Sequence, residues 1–175
     1  MTKCAGFRDL VLPHLDAAYN LARWLSGSRA DADDIVQEAM LRALRAFPSL
    51  RNTDDAKPWL LAIVRNCHRS RAGEAHRRRT VALDEAAKLA SSEPGPEDEA
   101  IGSSDRRQLN GLIAALPEEF REVLILREIE DLSYQEIAAV AGCPIGTVMS
   151  RLARARAVLR QGWLDKVGAA NHGLS

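Results

Sequence analysis

Apolar residues recur at intervals of three and four along almost the whole chain, and the pattern breaks down in one place, the segment SSEPGPEDEAIGSSD at 91–105. A spacing of three and four puts side chains on one stripe of a helix, whereas a strand needs alternation by two. Pro94, Gly95 and Pro96 remove a backbone donor and add conformational freedom within three residues, which no helix tolerates in its interior. Aromatic residues make up only 5% of the chain, so the β-forming signal is weak as well. The expectation is an all-α protein of two small helical domains, residues 1–80 and 106–170, joined by a flexible acidic linker at 81–105.

In the first half, the periodicity predicts a helix over residues 7–26 that ends near Gly27. Ser28 and Asp31 then form a capping arrangement, with a hydroxyl positioned to accept an orphan backbone N–H and an acid near the positive helix end. The next helix carries Ile35, Val36, Ala39, Met40, Ala43, Leu44 and Phe47 on an apolar stripe and Asp33, Asp34, Gln37, Glu38, Arg42 and Arg45 on its other faces. Pro48 ends it. A polar loop at 49–57 leads to Pro58 and Trp59, which open a third helix through Leu60, Ile63, Val64 and Cys67, because a first-turn proline gives up a donor that would have no partner anyway.

Charge becomes informative only when it is localised. Lys plus Arg equals Asp plus Glu at 24 each, so the formal net charge is zero. Yet residues 65–79 hold six arginines (65, 69, 71, 77, 78 and 79) against the single acid Glu74, and Arg151, Arg154, Arg156 and Arg160 form a second acid-free cluster. Local fields of this kind attract phosphates whatever the total charge. The three cysteines, Cys4, Cys67 and Cys143, are odd in number and without C-x-x-C spacing, which fits a reducing cytoplasm better than a disulfide framework or a structural zinc site. Cys67 and His68 are adjacent, so they diverge on a helix and make a poor metal pair. No cofactor motif is present, and no apolar run reaches the ~18 residues of a membrane span.

The second half reads as four helices, the last two separated by a very short turn, which is the order of a helix-turn-helix. Ser133-Tyr134-Gln135-Glu136 is a capping box for the third, with Ile137, Ala138 and Ala141 directed inward. Gly142 supplies a left-handed residue for the turn, and Pro144 starts the fourth helix. At ~100° per residue, Val148, Leu152, Ala155 and Leu159 of that helix fall in one narrow arc and must pack. Ser150 and Arg154 then point outward, flanked by Thr147 and Arg151 on one side and by Met149, Arg156 and Arg160 on the other. Short polar groups near the helix start and arginines further along suit base-edge and phosphate contacts in a major groove.

Two blocks in this order resemble the sigma-70 family, in its extracytoplasmic-function branch. DADDIVQEAMLRALRAF (31–47) with KPWLLAIVRNCHRSR (57–71) is similar to the family's region two, and ALPEEFREVLILREIEDLSYQEIAAVAGCPIGTVMSRLARAR (115–156) is similar to region four. The resemblance implies that Asp33, Asp34, Gln37 and Glu38 lie on the surface that grips the clamp helices of core RNA polymerase, although acids at a helix start also serve as dipole and capping residues. It implies that Arg65 and Asn66 lie beside the minus-ten element, where an unstacked base is captured, with Arg69, Arg71 and 77–79 neutralising phosphates; nearby Trp59 offers a ring for stacking, although a tryptophan on an apolar face is more often core. Thr147, Ser150, Arg151, Arg154 and Arg156 are then the residues that meet the minus-35 element. The chain departs from the family at Met149, where a lysine is frequent, and at Ser70, where an acid is frequent.

The function implied is that of an alternative sigma factor, monomeric when free, which binds core polymerase and promoter DNA and is held in check by an anti-sigma factor. An enzyme is disfavoured by the lack of a phosphate-binding loop, a nucleophile elbow or an H-E-x-x-H helix. The rival reading is a sigma-like decoy that binds an anti-sigma factor and never touches a promoter, which the retained arginines oppose. A simple helix-turn-helix repressor leaves the first block unexplained.

Overall fold

The computed structural model describes residues 6–82 and 104–172, and all regular elements among them are helical. The chain divides into two compact units, Met1–Pro94 and Gly95–Ser175. The segment expected as a linker lies outside the described residues except at its ends, where Val81 and Ala82 close one helix and Ser104 and Asp105 open another. Cys4 and the side chains of Arg78 and Arg79 also lie outside them. No described helix is long and apolar enough to cross a membrane.

In the first unit, the helix expected over 7–26 is divided. α1 spans Phe7–Leu10, a 3-10 turn spans Leu12–His14, and α2 spans Leu15–Ser26. Pro13 explains the interruption, since it sits at the start of the 3-10 turn and cannot donate to the preceding one. Gly27 ends α2 in the left-handed conformation at φ 71°, its N–H donating to the Arg23 carbonyl at 2.9 Å. α3, Arg29–Ala46, starts from Ser28, whose Oγ accepts the Asp31 N–H at 3.4 Å. α4, Ala56–Ala82, follows two short 3-10 turns.

The seam joining α2, α3 and α4 is made of Ala18, Leu21, Ala22, Ala32, Ile35, Ala39, Ala43, Leu60, Leu61 and Val64, each no more than 1% exposed. The many alanines let the three helices approach closely, while the larger Leu21, Ile35, Leu60 and Leu61 each contribute about 1.5–3 kcal/mol of burial. Leu44, expected on the buried stripe of α3, is 56% exposed. It lies ~100° round the helix from Ala43, beyond an already complete seam of 32, 35, 36, 39 and 43. Phe7 stands edge-on to Phe47, with ring centroids 5.4 Å apart, and so ties α1 to the end of α3.

The second unit holds α5 (Ser104–Ala114), α6 (Glu118–Glu128), α7 (Tyr134–Ala141) and α8 (Ile145–His172). α8 packs on the other three. Its Val148, Leu152 and Ala155 are fully buried, and Leu159 joins Ile113 and Phe120 around Leu116, Leu124 and Ala155. Between α5 and α6, the half-buried Arg121 donates to the carbonyls of Ala114 at 2.6 Å and Leu116 at 3.5 Å, placing a cation at the negative end of α5. Arg127 donates to the Leu132 carbonyl at 2.7 Å and covers the Tyr134 ring at 5.3 Å. That fixes the bend before α7, where Asp131 takes φ 54°. Both bonds of the Ser133 capping box are made, Glu136 N–H to Ser133 Oγ at 3.2 Å and Ser133 N–H to the Glu136 carboxylate at 2.7 Å. Gly142 turns the chain at φ 60°. Val140 is buried alongside Ile137 and Ala141, while Ala138 is only half-buried.

Candidate nucleic-acid interface

The first candidate surface lies on α4. Its first half is packed, whereas every residue from Arg69 to Arg77 is exposed, so the helix carries its basic stretch out of the core. The residues expected at the minus-ten element do not all share a face. At ~100° per residue, Trp59 lies ~20° and Arg69 ~60° from Asn66 around the axis, so these three stand together. Asn66 and Arg69 are exposed and Trp59 is half-buried. Ser70, ~40° round the axis from Asn66, places no acid directly beside these three.

Arg65 is different. It is only 9% exposed, so in the free chain its side chain is packed within the first unit rather than displayed on the exposed face of Asn66 and Arg69. Arg71 departs in the opposite direction: ~140° round the helix from Asn66, it meets α3, donating to Asp34 at 3.0 Å and lying 3.7 Å from Asp31.

The polymerase-side residues expected on α3, Asp33, Asp34 and Gln37, are exposed, and Glu38 is half-exposed. Glu38 accepts from Arg42 Nε at 2.7 Å, which raises the Arg42 pKa. Two neighbouring depressions run along this helix. One is polar, containing Asp34, Glu38, Arg42, Arg71 and Glu74 with Cys67 in its wall, and burial raises the Cys67 pKa and disfavours its thiolate. The other is apolar, formed by Phe7, Leu15, Tyr19, Met40, Leu41 and Leu44 and edged by Asp16, Asp33 and Gln37. Leu41 is 52% exposed. Asp33 and Gln37 on the edge of this depression are among the residues expected at the polymerase, and Leu41 is not. Leu41 stood off the buried stripe on an otherwise polar face, and that was the available signal.

The second candidate surface is the outward face of α8. Ser150 and Arg154 are exposed as the angular argument required, and Thr147 is half-buried beside them. Ser150 donates to the Thr147 carbonyl at 3.0 Å, which holds its hydroxyl oxygen at the helix surface. Arg154 has no ion pair among the described residues. Two of the flanking arginines, Arg151 and Arg156, are engaged. Arg151, with a side chain only 21% exposed, meets Glu119 at 2.7 Å, and Arg156 meets Glu128 at 2.6 Å, a contact that raises the Arg156 pKa.

The matches to known proteins follow this division into two units. A sigma-70 region 2 model matches residues 10–78, and a sigma-70 region 4 model matches residues 106–159. The ECF RNA polymerase sigma factor EcfG of Rhodopseudomonas palustris is 35% identical over 154 residues, 88% of this chain and 83% of that one. The chain belongs to the extracytoplasmic-function sigma factors of the sigma-70 family. The sigma factor SigE of Mycolicibacterium smegmatis is 36% identical over 153 residues, 87% of this sigma factor but 59% of its own length. In structure, the chain is similar to the sigma factor RpoE of Bartonella quintana, solved in complex with the anti-sigma factor NepR. That match has a TM-score of 0.74 at 29% identity and covers 90% of this sigma factor and 96% of RpoE.

Proposed function

We propose that this alternative sigma factor docks on core RNA polymerase through α3, holds the minus-ten element on α4 and reads the minus-35 element with α8. It catalyses no reaction itself, and supplies binding energy and strand capture to the polymerase in the cytoplasm. The observation that carries this reading is the presence of two distinct exposed surfaces in the first unit. Asp33, Gln37 and the exposed leucines of α3 edge an apolar depression, while Asn66 and Arg69 of α4 lie on a different side of that helix from Arg71, which meets α3, so a protein partner and a DNA strand have separate surfaces to occupy. An exposed apolar patch with an acidic edge suits a protein with basic and apolar side chains. An exposed asparagine beside a half-buried indole suits an unstacked base, which needs both a donor-acceptor pair and a flat surface.

The complex of the similar RpoE with NepR supports a further element of the proposal, an anti-sigma factor that controls this chain. The free protein is a monomer in this reading.

The test is open-complex formation with purified chain and core polymerase on a promoter library. Sequence-selective opening is the expected result, and it yields both promoter elements. Polymerase binding without opening makes the chain a decoy, and DNA binding without polymerase binding makes it a repressor.

A further inference from the structure

The arginines of α8 differ in one respect that their sequence spacing hides: Arg151 and Arg156 are held by acids, and Arg154 between them is not. Arg151 Nη2 lies 2.7 Å from Glu119 in the first turn of α6, while its Nη1 is 4.0 Å from Cys143 Sγ in the turn between α7 and α8. Arg156 gives both Nε, at 3.2 Å, and Nη2, at 2.6 Å, to one oxygen of Glu128 in the last turn of α6. At ~100° per residue, Arg151 and Arg156 lie ~140° apart around α8. The two acids stand at opposite ends of α6, nine residues or ~13 Å apart along its axis.

Two braces at opposite ends of one helix and on different sides of another resist the same two motions, rotation of α8 about its axis and sliding along α6. The apolar seam below cannot do this alone. Val148, Leu152 and Ala155 fix which side is buried, but aliphatic contacts are non-directional and leave rotation of a few degrees inexpensive. A bidentate base contact needs donors placed within a few tenths of an ångström, so small rotations matter to reading and hardly at all to phosphate attraction.

We propose that Glu119 and Glu128 are positioning residues for promoter recognition, acting through Arg151 and Arg156 to fix the rotation of α8 so that Ser150 and Arg154 meet base edges. The inference rests on the reading of α8 as the minus-35 helix. It predicts a signature opposite to that of an ordinary surface acid near DNA. Removing such an acid strengthens binding to all sequences by relieving repulsion, whereas removing a brace reduces the difference between sequences.

The experiment measures, with polymerase holoenzyme, the affinity ratio between the preferred minus-35 element and its single-base variants for Glu119→Gln, Glu118→Gln, Arg151→Gln and the Glu119→Gln/Arg151→Gln double variant. Glu118 shares the first turn of α6 and the same charge, and it acts on Arg121. The expected result is a loss of discrimination by about three- to tenfold in Glu119→Gln, none in Glu118→Gln, and no further loss when Glu119→Gln is added to Arg151→Gln. Glu128→Gln follows the same pattern with a smaller loss, because the Arg156 side chain, 47% exposed, is less enclosed than that of Arg151 at 21%. Restoration by Glu119→Asp, which keeps the charge, supports the brace further. Equal shifts for every sequence in Glu119→Gln and Glu118→Gln overturn it, as does an additive double variant. Arg154→Ala in the same assay separates the two failures: if it leaves discrimination intact, α8 does not read bases, and if it alone abolishes discrimination, α8 reads bases without these braces.

Discussion

α4 and α8 begin alike and end differently. Each leaves a packed core carrying a run of arginines, but on α4 the stretch from Arg69 to Arg77 is exposed and one arginine, Arg71, pairs with an acid of a neighbouring helix, whereas on α8 the arginines alternate with buried Leu152 and Ala155 and two of them lean on α6. In the proposed function, charge on α4 therefore acts mainly through its field, which tolerates movement, and charge on α8 acts through its position, which does not. The difference matches the two tasks in the proposal. A strand captured after opening must be attracted and accommodated, while a duplex read by its base edges must be met at a fixed distance.

The most severe way to break the comparison is to remove what supports α8 from below. Leu152 is 1% exposed beneath the reading face, and Leu152→Ala leaves a cavity that the surrounding helices fill only in part. A loss of about 2–5 kcal/mol is expected, measured by urea denaturation followed by circular dichroism. A loss below about 1 kcal/mol would mean that the seam does not hold the helix.

Next in size is a pair of truncations that sets position against field. Arg154→Ala is expected to cost about 1–3 kcal/mol on the preferred minus-35 element and little on its variants. Arg69→Ala is expected to weaken binding equally across sequences and to reduce the salt slope by about one. Titrating both variants against matched and mismatched promoters at several salt concentrations checks this, and a uniform effect of Arg154→Ala removes the distinction between the helices.

Much of this contrast was legible in the sequence, for reasons that also explain what was not. The helical order, the Ser133 capping box, the Gly142 turn and the outward placement of Ser150 and Arg154 depend on local spacing, and spacing is written in the chain. The break at Pro13 is written there too, as a missing donor inside an apolar period that continues across it. Arg65, Arg71, Arg151 and Arg156 could not be sorted from their neighbours, because what divides them is a residue 28–37 positions away or the depth of a helix packed beside them. An arginine in a basic run reads as a phosphate contact until its acid is located.

The smallest expected effect lies where the two surfaces of the first unit touch. Arg71, counted with the DNA-facing arginines from sequence, is paired with Asp34, counted with the polymerase-facing acids. Both side chains are about half exposed, at 43% and 57%, so the pair is worth at most about 1 kcal/mol and is sensitive to salt. A polymerase that engages Asp34 would free Arg71 to turn toward DNA, whereas in the free chain the pair withholds it. Asp34→Asn is expected to raise the affinity of the free chain for single-stranded minus-ten DNA by about two- to fourfold at low salt, measured by fluorescence anisotropy, with the gain fading as salt rises. Removing any nearby acid raises such affinity somewhat, so Asp33→Asn is the comparison. Asp33 is exposed on the same turn with no ion pair to Arg71, and its loss changes the net charge equally. A larger gain for Asp34→Asn than for Asp33→Asn measures the release of Arg71, and that excess should vanish in an Arg71→Gln background. Equal gains would mean that α3 restrains the DNA face through total charge alone, and would leave the positional use of arginine confined to α8.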